Sequence, residues 1–157
     1  MLTYHPCVTQ GGVFRIGILE GSVYSVDWPG SFDESSVLYD YIPDIIKRLS
    51  TDLDLYFQGN YIDWQTYPLI TDRGTDFQRG VWRILQSIPY GNTITYSDIA
   101  QRMSTKAVRA VGSACGRNLI PILIPCHRVI NKNGGYGGYS AGLDKKIFLL
   151  RCEHCAV

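Results

Sequence analysis

The stretch Pro121-Ile-Leu-Ile-Pro-Cys-His-Arg-Val-Ile130 constrains this chain more than any other. Its bulky apolar residues demand burial, yet Cys126, His127 and Arg128 arrive together inside it. Pro125 fixes one backbone dihedral and removes an amide donor, so the chain turns there. A buried run that turns sharply presents one rigid side chain to a pocket. Cysteine is the strongest nucleophile among ordinary side chains, but only as thiolate, and its free pKa is about 8.5. The neighbouring His and Arg supply positive surroundings that favour the thiolate. The competing reading for a lone cysteine is a buried core thiol, with Arg128 in a surface salt bridge.

Charge divides the chain in two. Residues 1–72 carry 3 Lys and Arg against 10 Asp and Glu, whereas residues 73–157 carry 12 against 4, within a net charge of +1. A polyanion would meet the second half and be repelled by the first. With 157 residues the chain makes one ordinary domain or two small ones. We expect an N-terminal αβ domain over 1–72 and a C-terminal domain over 73–157. No apolar stretch approaches a membrane span, and the start lacks the charged opening of a secretion signal. Five cysteines at irregular spacing argue against a disulfide framework and for a reducing, intracellular location.

In the first half, Val13–Leu19 and Ser22–Trp28 are β-rich runs joined by the turn signal Glu20-Gly21, which predicts a hairpin. From Val37 the apolar residues Leu38, Tyr41, Ile42, Ile45, Ile46 and Leu49 fall at helical spacing. Pro43 interrupts them, so the helix kinks or restarts there. Tyr61–Arg73 reads as a connector. Thr75 or Asp76 caps a helix over Phe77–Ile88. Thr95 and Asp98 form a capping-box pattern opening a short helix to Met103. Ser104 or Thr105 then caps a second, from Lys106 to about Gly116. So tight a pair is a helix-turn-helix or a plain helical corner. Asn131–Gly138 holds four glycines and reads as a binding loop or wing. A last helix, about Leu143–His154, buries Leu143, Ile147 and Leu150 and carries Glu153.

The second helix of the pair is short of bulk: Ala107, Ala110, Gly112, Ser113 and Ala114 are all small. Close packing on another helix explains this; so does insertion into a narrow groove. A helix with ordinary side chains is about 10–12 Å across, whereas the DNA minor groove is about 6 Å wide. Arg109 is the one long side chain on this small surface, and a phosphate contact is the rival reading for it.

Pro-Cys-His-Arg-Val, with Arg109-Ala-Val-Gly112 and Asn118 before it, resembles the O6-alkylguanine-DNA alkyltransferases, the methylated-DNA–protein-cysteine methyltransferases. The likeness continues through Gly74–Trp82, Tyr90-Gly91, Ile94-Thr-Tyr-Ser97, Tyr139–Leu143 and Leu149–Glu153, nearly all of residues 74–153. It implies an α+β fold: a small N-terminal αβ, ribonuclease-H-like domain, then a mainly helical winged helix-turn-helix domain carrying the active-site cysteine. It implies single-turnover transfer of an alkyl group from O6 of guanine, or O4 of thymine, to Cys126. His127 would act through a bridging water, with Glu153 holding its other nitrogen. Tyr96 would hydrogen-bond the flipped base and aid its protonation, and Asn118 would tie the recognition helix to the cysteine segment. The family's following proline is Leu119 here, which alters the turn.

The same resemblance places Pro121, Val129, Tyr139 and Ser140 around the substrate. It sets Thr95, Tyr96, Ser97, Ser104, Ala107, Ala110, Gly112 and Lys132 at the DNA, with Arg109 filling the gap left by the extruded base. The partner implied is double-stranded DNA containing O6-alkylguanine, bound through the minor groove by a monomer. No cofactor, no metal and no membrane are implied, and the location is the cytoplasm, or the nucleus of a eukaryote. Cys152-Glu-His-Cys155 has the form of half a zinc site, which His5 and Cys7 could complete; free thiols, or a Cys152–Cys155 bridge, are the other readings. A binding-only winged-helix regulator has no need of Cys126-His127 beside a pocket. A cysteine hydrolase is disfavoured by adjacent Cys and His and by the lack of an oxyanion motif.

Overall fold

Three antiparallel strands form the first sheet, in the order β1 (Leu2–Thr9), β2 (Gly12–Leu19), β3 (Ser22–Asp27). This is a computed structural model, and it describes residues 1–155. The β2–β3 hairpin turns at Glu20-Gly21, both with positive φ (50° and 78°). Strand β1 was not evident in the sequence, because Pro6 interrupts it. Proline is tolerated there because β1 lies at the sheet edge.

Helix α1 (Asp44–Phe57) packs on β1. It begins at Pro43, which is its N-cap, so residues 37–43 are not the first half of a kinked helix. The residue before a proline is driven out of the helical region, and Leu38 and Tyr41 are exposed. Phe14, Ile16, Ile46, Leu49, Leu53 and Tyr56 are buried at most 1% exposed and form the core beneath the sheet.

The chain divides into two compact units: residues 1–70 with 119–121, and residues 71–118 with 122–155. The return of Leu119–Pro121 to the first unit has a backbone cause. The outer edge of β3 is covered by Val23 bonding Pro68 and Ile70, and by the Val26 amide bonding Leu119 O at 2.9 Å. These bonds protect an edge that would otherwise be open to pairing.

In the second unit, α2 (Asp76–Gln86) opens with a Thr75–Gln78 capping box and buries Val81, Trp82 and Leu85. A second capping box, Thr95–Asp98, opens α3 (Tyr96–Arg102). Helix α4 (Val108–Gly116) follows after a tight turn and packs on both α2 and α3. Ser104 does not cap it: φ is +54°, so this residue makes the turn itself. Ala107 occupies the N-cap position, without a side-chain bond. Trp82 fixes α4 from below, its Nε1 donating to Ala114 O at 2.9 Å.

Two short parallel strands, β4 (Ile94–Thr95) and β5 (Val129–Ile130), join the start of α3 to the residues just after Cys126. The last helix, α5 (Leu143–Cys152), turns a different face inward than the sequence indicated. Leu143 is 45% exposed and Ile147 half-buried, whereas Lys146, Leu149 and Leu150 are fully buried. The helix closes with His154 in the left-handed region (φ +57°), the Cys155 amide on Leu150 O and the His154 amide on Arg151 O. This paired closure is a Schellman motif and sets Glu153 at the helix end, turned inward and 1% exposed. The architecture is α+β.

Candidate active site

Cys126 opens a 3-10 turn, Cys126–Arg128, which follows directly on Pro125. The apolar run before it is buried as expected, from Ile122 to Ile124. Cys126 is 6% exposed and forms part of the wall of a cavity of about 560 Å³. Tyr96, Arg109, Gly112, Cys115, Tyr139 and Ser140 line the same cavity, between α4 and the glycine loop.

Asn118 stands behind the thiol. Its Nδ2 donates to Ile124 O at 2.8 Å and to Cys126 Sγ at 3.3 Å, so the amide is held in place despite Leu119. Burial pushes the Cys126 thiol up; the Asn118 bond, the Lys146 charge and the Tyr139 hydroxyl work against it. The resting group is therefore a thiol, and the reaction needs a base.

That base has an organised neighbourhood. His127 Nε2 donates to Glu153 Oε1 at 2.8 Å, with both side chains fully buried. Arg128 Nε reaches Oε1 at 3.1 Å and Oε2 at 2.8 Å, its Nη2 reaches Oε1 at 2.9 Å, and its Nη1 donates to Ile88 O at 2.6 Å. The Gly91 amide donates to Oε2 at 3.2 Å. Burial alone would raise the Glu153 carboxyl, but the bonds and charges of His127 and Arg128 outweigh it and hold it at about 2. For His127, burial lowers the pKa and the Arg128 and Lys146 charges add to that, against Glu153. The ring is neutral at pH 7.

The far wall is tied to the same framework. Lys146 Nζ donates to Val129 O at 2.6 Å and Gly138 O at 3.2 Å, joining β5 to the glycine loop. Burial lowers its pKa to about 8. Tyr96 also reaches Gly138 O, at 3.4 Å, and burial raises its hydroxyl to about 12, so it remains a donor at neutral pH. Gly137 has φ +74°, and a Cβ there would lie 2.9 Å from the Tyr96 ring, so this glycine is required for the close approach.

Cys126, His127, Glu153, Tyr96 and Asn118 are thus gathered in one unit, and Tyr139 and Ser140 line the cavity. Pro121 and Val129 do not. Pro121 belongs to the first unit, and Val129 is turned into the core, 0% exposed, in its pairing with Ile94. Ala107, Arg109, Ala110, Ser104 and Lys132 are exposed, with Ser97 and Gly112 half-buried. A Cβ on Gly112 would meet nothing within 4 Å, so packing within the chain does not demand its smallness. The Thr95 hydroxyl accepts the Asp98 amide at 3.1 Å, so its first task is capping α3.

Four residues were not singled out for their part here: Lys146, Gly91, Cys115, and Arg128 as a buried clamp. Lys146 was detectable, since with Leu149, Leu150 and Glu153 it falls at i, i+3, i+4 and i+7 on one helical stripe. Gly91 lay within the family likeness at Tyr90-Gly91 but without a role, and no signal marked Cys115. Among the described residues no group of three or more His, Cys, Asp or Glu could hold a metal ion. His5 is engaged by Thr3 and the Tyr41 carbonyl. All five cysteines are free thiols.

The family model described as 6-O-methylguanine DNA methyltransferase, DNA binding domain, matches residues 76–155. A methylated-DNA–protein-cysteine methyltransferase of Methanosarcina mazei is 46% identical over 112 residues, 70% of this chain and 69% of that protein. A probable methylated-DNA–protein-cysteine methyltransferase of Acanthamoeba polyphaga mimivirus is 49% identical over 109 residues, 69% of this chain and 72% of that one. Among solved structures, Mycobacterium tuberculosis OGT in complex with DNA superposes with a TM-score of 0.81 at 33% identity, covering 96% of this chain and 92% of that chain. The O6-methylguanine-DNA methyltransferase of Pyrococcus kodakaraensis gives 0.71 at 28% identity, covering 98% and 99%.

Proposed function

The chain belongs to the methylated-DNA–protein-cysteine methyltransferase family, and we propose that it repairs alkylated DNA by taking the alkyl group from O6 of guanine onto Cys126. The observation that carries this is the sulfur itself, on the wall of a 560 Å³ cavity with the Asn118 amide 3.3 Å away. The DNA duplex meets the exposed small surface of α4, where Ala107, Ala110 and Gly112 allow close approach in the minor groove. Arg109 fills the space the base leaves. Thr95, Ser97, Ser104 and Lys132 face the phosphates. Extruding the base costs a few kcal/mol, offset by contacts with Tyr96, Tyr139 and Ser140.

His127 accepts the Cys126 proton through a bridging water, which its neutral ring permits. Sγ then attacks the alkyl carbon; the bond from that carbon to O6 breaks and its electron pair leaves with guanine. Tyr96, protonated at neutral pH, donates to the departing base. The S–C bond formed is a thioether, which water does not cleave at neutral pH, so each molecule acts once. The same displacement applies to O4 of thymine. The protein acts as a monomer in the cytoplasm, or in the nucleus of a eukaryote; its five free thiols support a reducing compartment. None of its described helices is long and apolar enough to cross a membrane.

Cys126→Ala should abolish transfer from an O6-methylguanine duplex while keeping affinity for that duplex. A variant that still demethylates the duplex would end the assignment of Cys126. An unaltered protein that binds the lesion and never accepts the methyl would favour a binding-only protein.

A further inference from the structure

We propose that Arg128 is a positioning residue for alkyl transfer: by meeting the Glu153 charge itself, it fixes His127 with its proton on Nε2 and makes Nδ1 the accepting nitrogen. This rests on the reading of Cys126 as the alkyl acceptor and goes beyond it, since Arg128 is not among the residues that line the cavity.

A fully buried carboxylate needs one positive charge. His127 and Arg128 both reach it. Arg128 brings three contacts, at 2.8, 2.9 and 3.1 Å, and a further bond to Ile88 O that locks the guanidinium in plane. His127 brings one, at 2.8 Å. Guanidinium does not give up its proton in a protein, whereas imidazole readily does. With Arg128 in place, a second cation at His127 would be buried beside a carboxylate already neutralised. The ring is left neutral, and its bond to an acceptor-only carboxylate requires the proton to sit on Nε2. Without Arg128, the nearest group able to supply the missing charge is His127, as imidazolium, and an imidazolium accepts no proton from a thiol.

Other groups act on the pair. Lys146, from α5, bears a charge that disfavours imidazolium. Tyr90, whose hydroxyl donates to Cys152 O, Cys152 and Cys155 are neutral near pH 7 and feel the Glu153 charge. None of these carries the full positive charge directly against the carboxylate that Arg128 does.

The test is single-turnover transfer from an O6-methylguanine duplex as a function of pH, with ¹⁵N spectra of the His127 ring. In the unaltered protein the spectrum should show the Nε2–H tautomer, and the acid limb of the rate should lie below the ordinary histidine value of about 6.5. Arg128→Gln should move that limb to higher pH, with the rate at pH 7 lowered about 10-fold or more and recovered on raising the pH. The double variant Arg128→Gln with Glu153→Gln removes both charges and should return the limb toward its original position. An Nδ1–H tautomer or an imidazolium in the unaltered protein at pH 7 overturns the proposal, whether or not any variant folds. So does an Arg128→Gln profile lowered equally at every pH, the mark of a purely structural residue. The ring spectrum needs no substrate, so it decides this proposal even if Cys126 accepts no methyl.

Discussion

The side-chain amide of Asn118 bridges Ile124 O and Cys126 Sγ, at 2.8 and 3.3 Å. One residue thereby fixes the backbone entering the turn and stabilises negative charge on the sulfur. Asn118→Ala removes the bond that lowers the Cys126 pKa. The rate of thiol alkylation by iodoacetamide should shift to higher pH, and single-turnover transfer at pH 7 should fall about 10–100-fold. Stability should fall by about 1–3 kcal/mol, because Ile124 O loses its buried donor. An unchanged alkylation profile would contradict this role.

Acid should destabilise the second unit in two stages. His127 is lowered in the folded state, so the unfolded chain binds more protons below about pH 6.5, and stability falls as pH drops through that value. Glu153, held at about 2, contributes stability that is complete above its unfolded value of about 4.3. That contribution is lost as pH falls from there toward 2. Glu153→Gln should flatten urea-unfolding stability against pH between about 4.5 and 2 while lowering it at pH 7. A parallel, merely displaced curve would contradict the assignment.

Lys146→Met should cost about 2–4 kcal/mol, since Val129 O and Gly138 O both lose a donor. It also removes a charge that lowers the Cys126 pKa. Transfer should slow, and hydrogen exchange of the 131–138 amides should quicken. Unchanged exchange would show that the loop is held by other means.

Gly137→Ala would force a β-carbon against the Tyr96 ring in a left-handed backbone conformation. It should destabilise the unit by about 1–3 kcal/mol and weaken affinity for the lesion more than for undamaged duplex. Equal loss for both duplexes would show that Tyr96 does not contact the base.

Legibility followed local chemistry. The Thr95–Asp98 capping box depends on residues three apart, so the start of α3 could be read directly, while at α2 the choice between Thr75 and Asp76 is decided for Thr75 by its bond with Gln78. The β2–β3 hairpin was announced by Glu20-Gly21. Strand β1 was hidden by Pro6, whose place at a sheet edge depends on partners elsewhere. Of the helix expected from Val37, only the part starting at Pro43 forms, because the bar on the residue preceding proline outweighs periodicity over 37–42. In the site, Cys126 and His127 were visible because they are adjacent in sequence, and Asn118 through the family likeness. Glu153 became legible through the family likeness. The Arg128 clamp was not, because it joins Ile88, Arg128 and Glu153 across 65 residues, and its partners are defined only by the folded packing.

The most direct measurement is the mass of the intact protein, with peptide mapping, as increasing amounts of O6-methylguanine duplex are added. One methyl per molecule is expected, on Cys126, with guanine restored in equal number and no further repair however much duplex is supplied. Repair continuing beyond one lesion per protein, or a methyl found elsewhere with Cys126 unmodified, would contradict it.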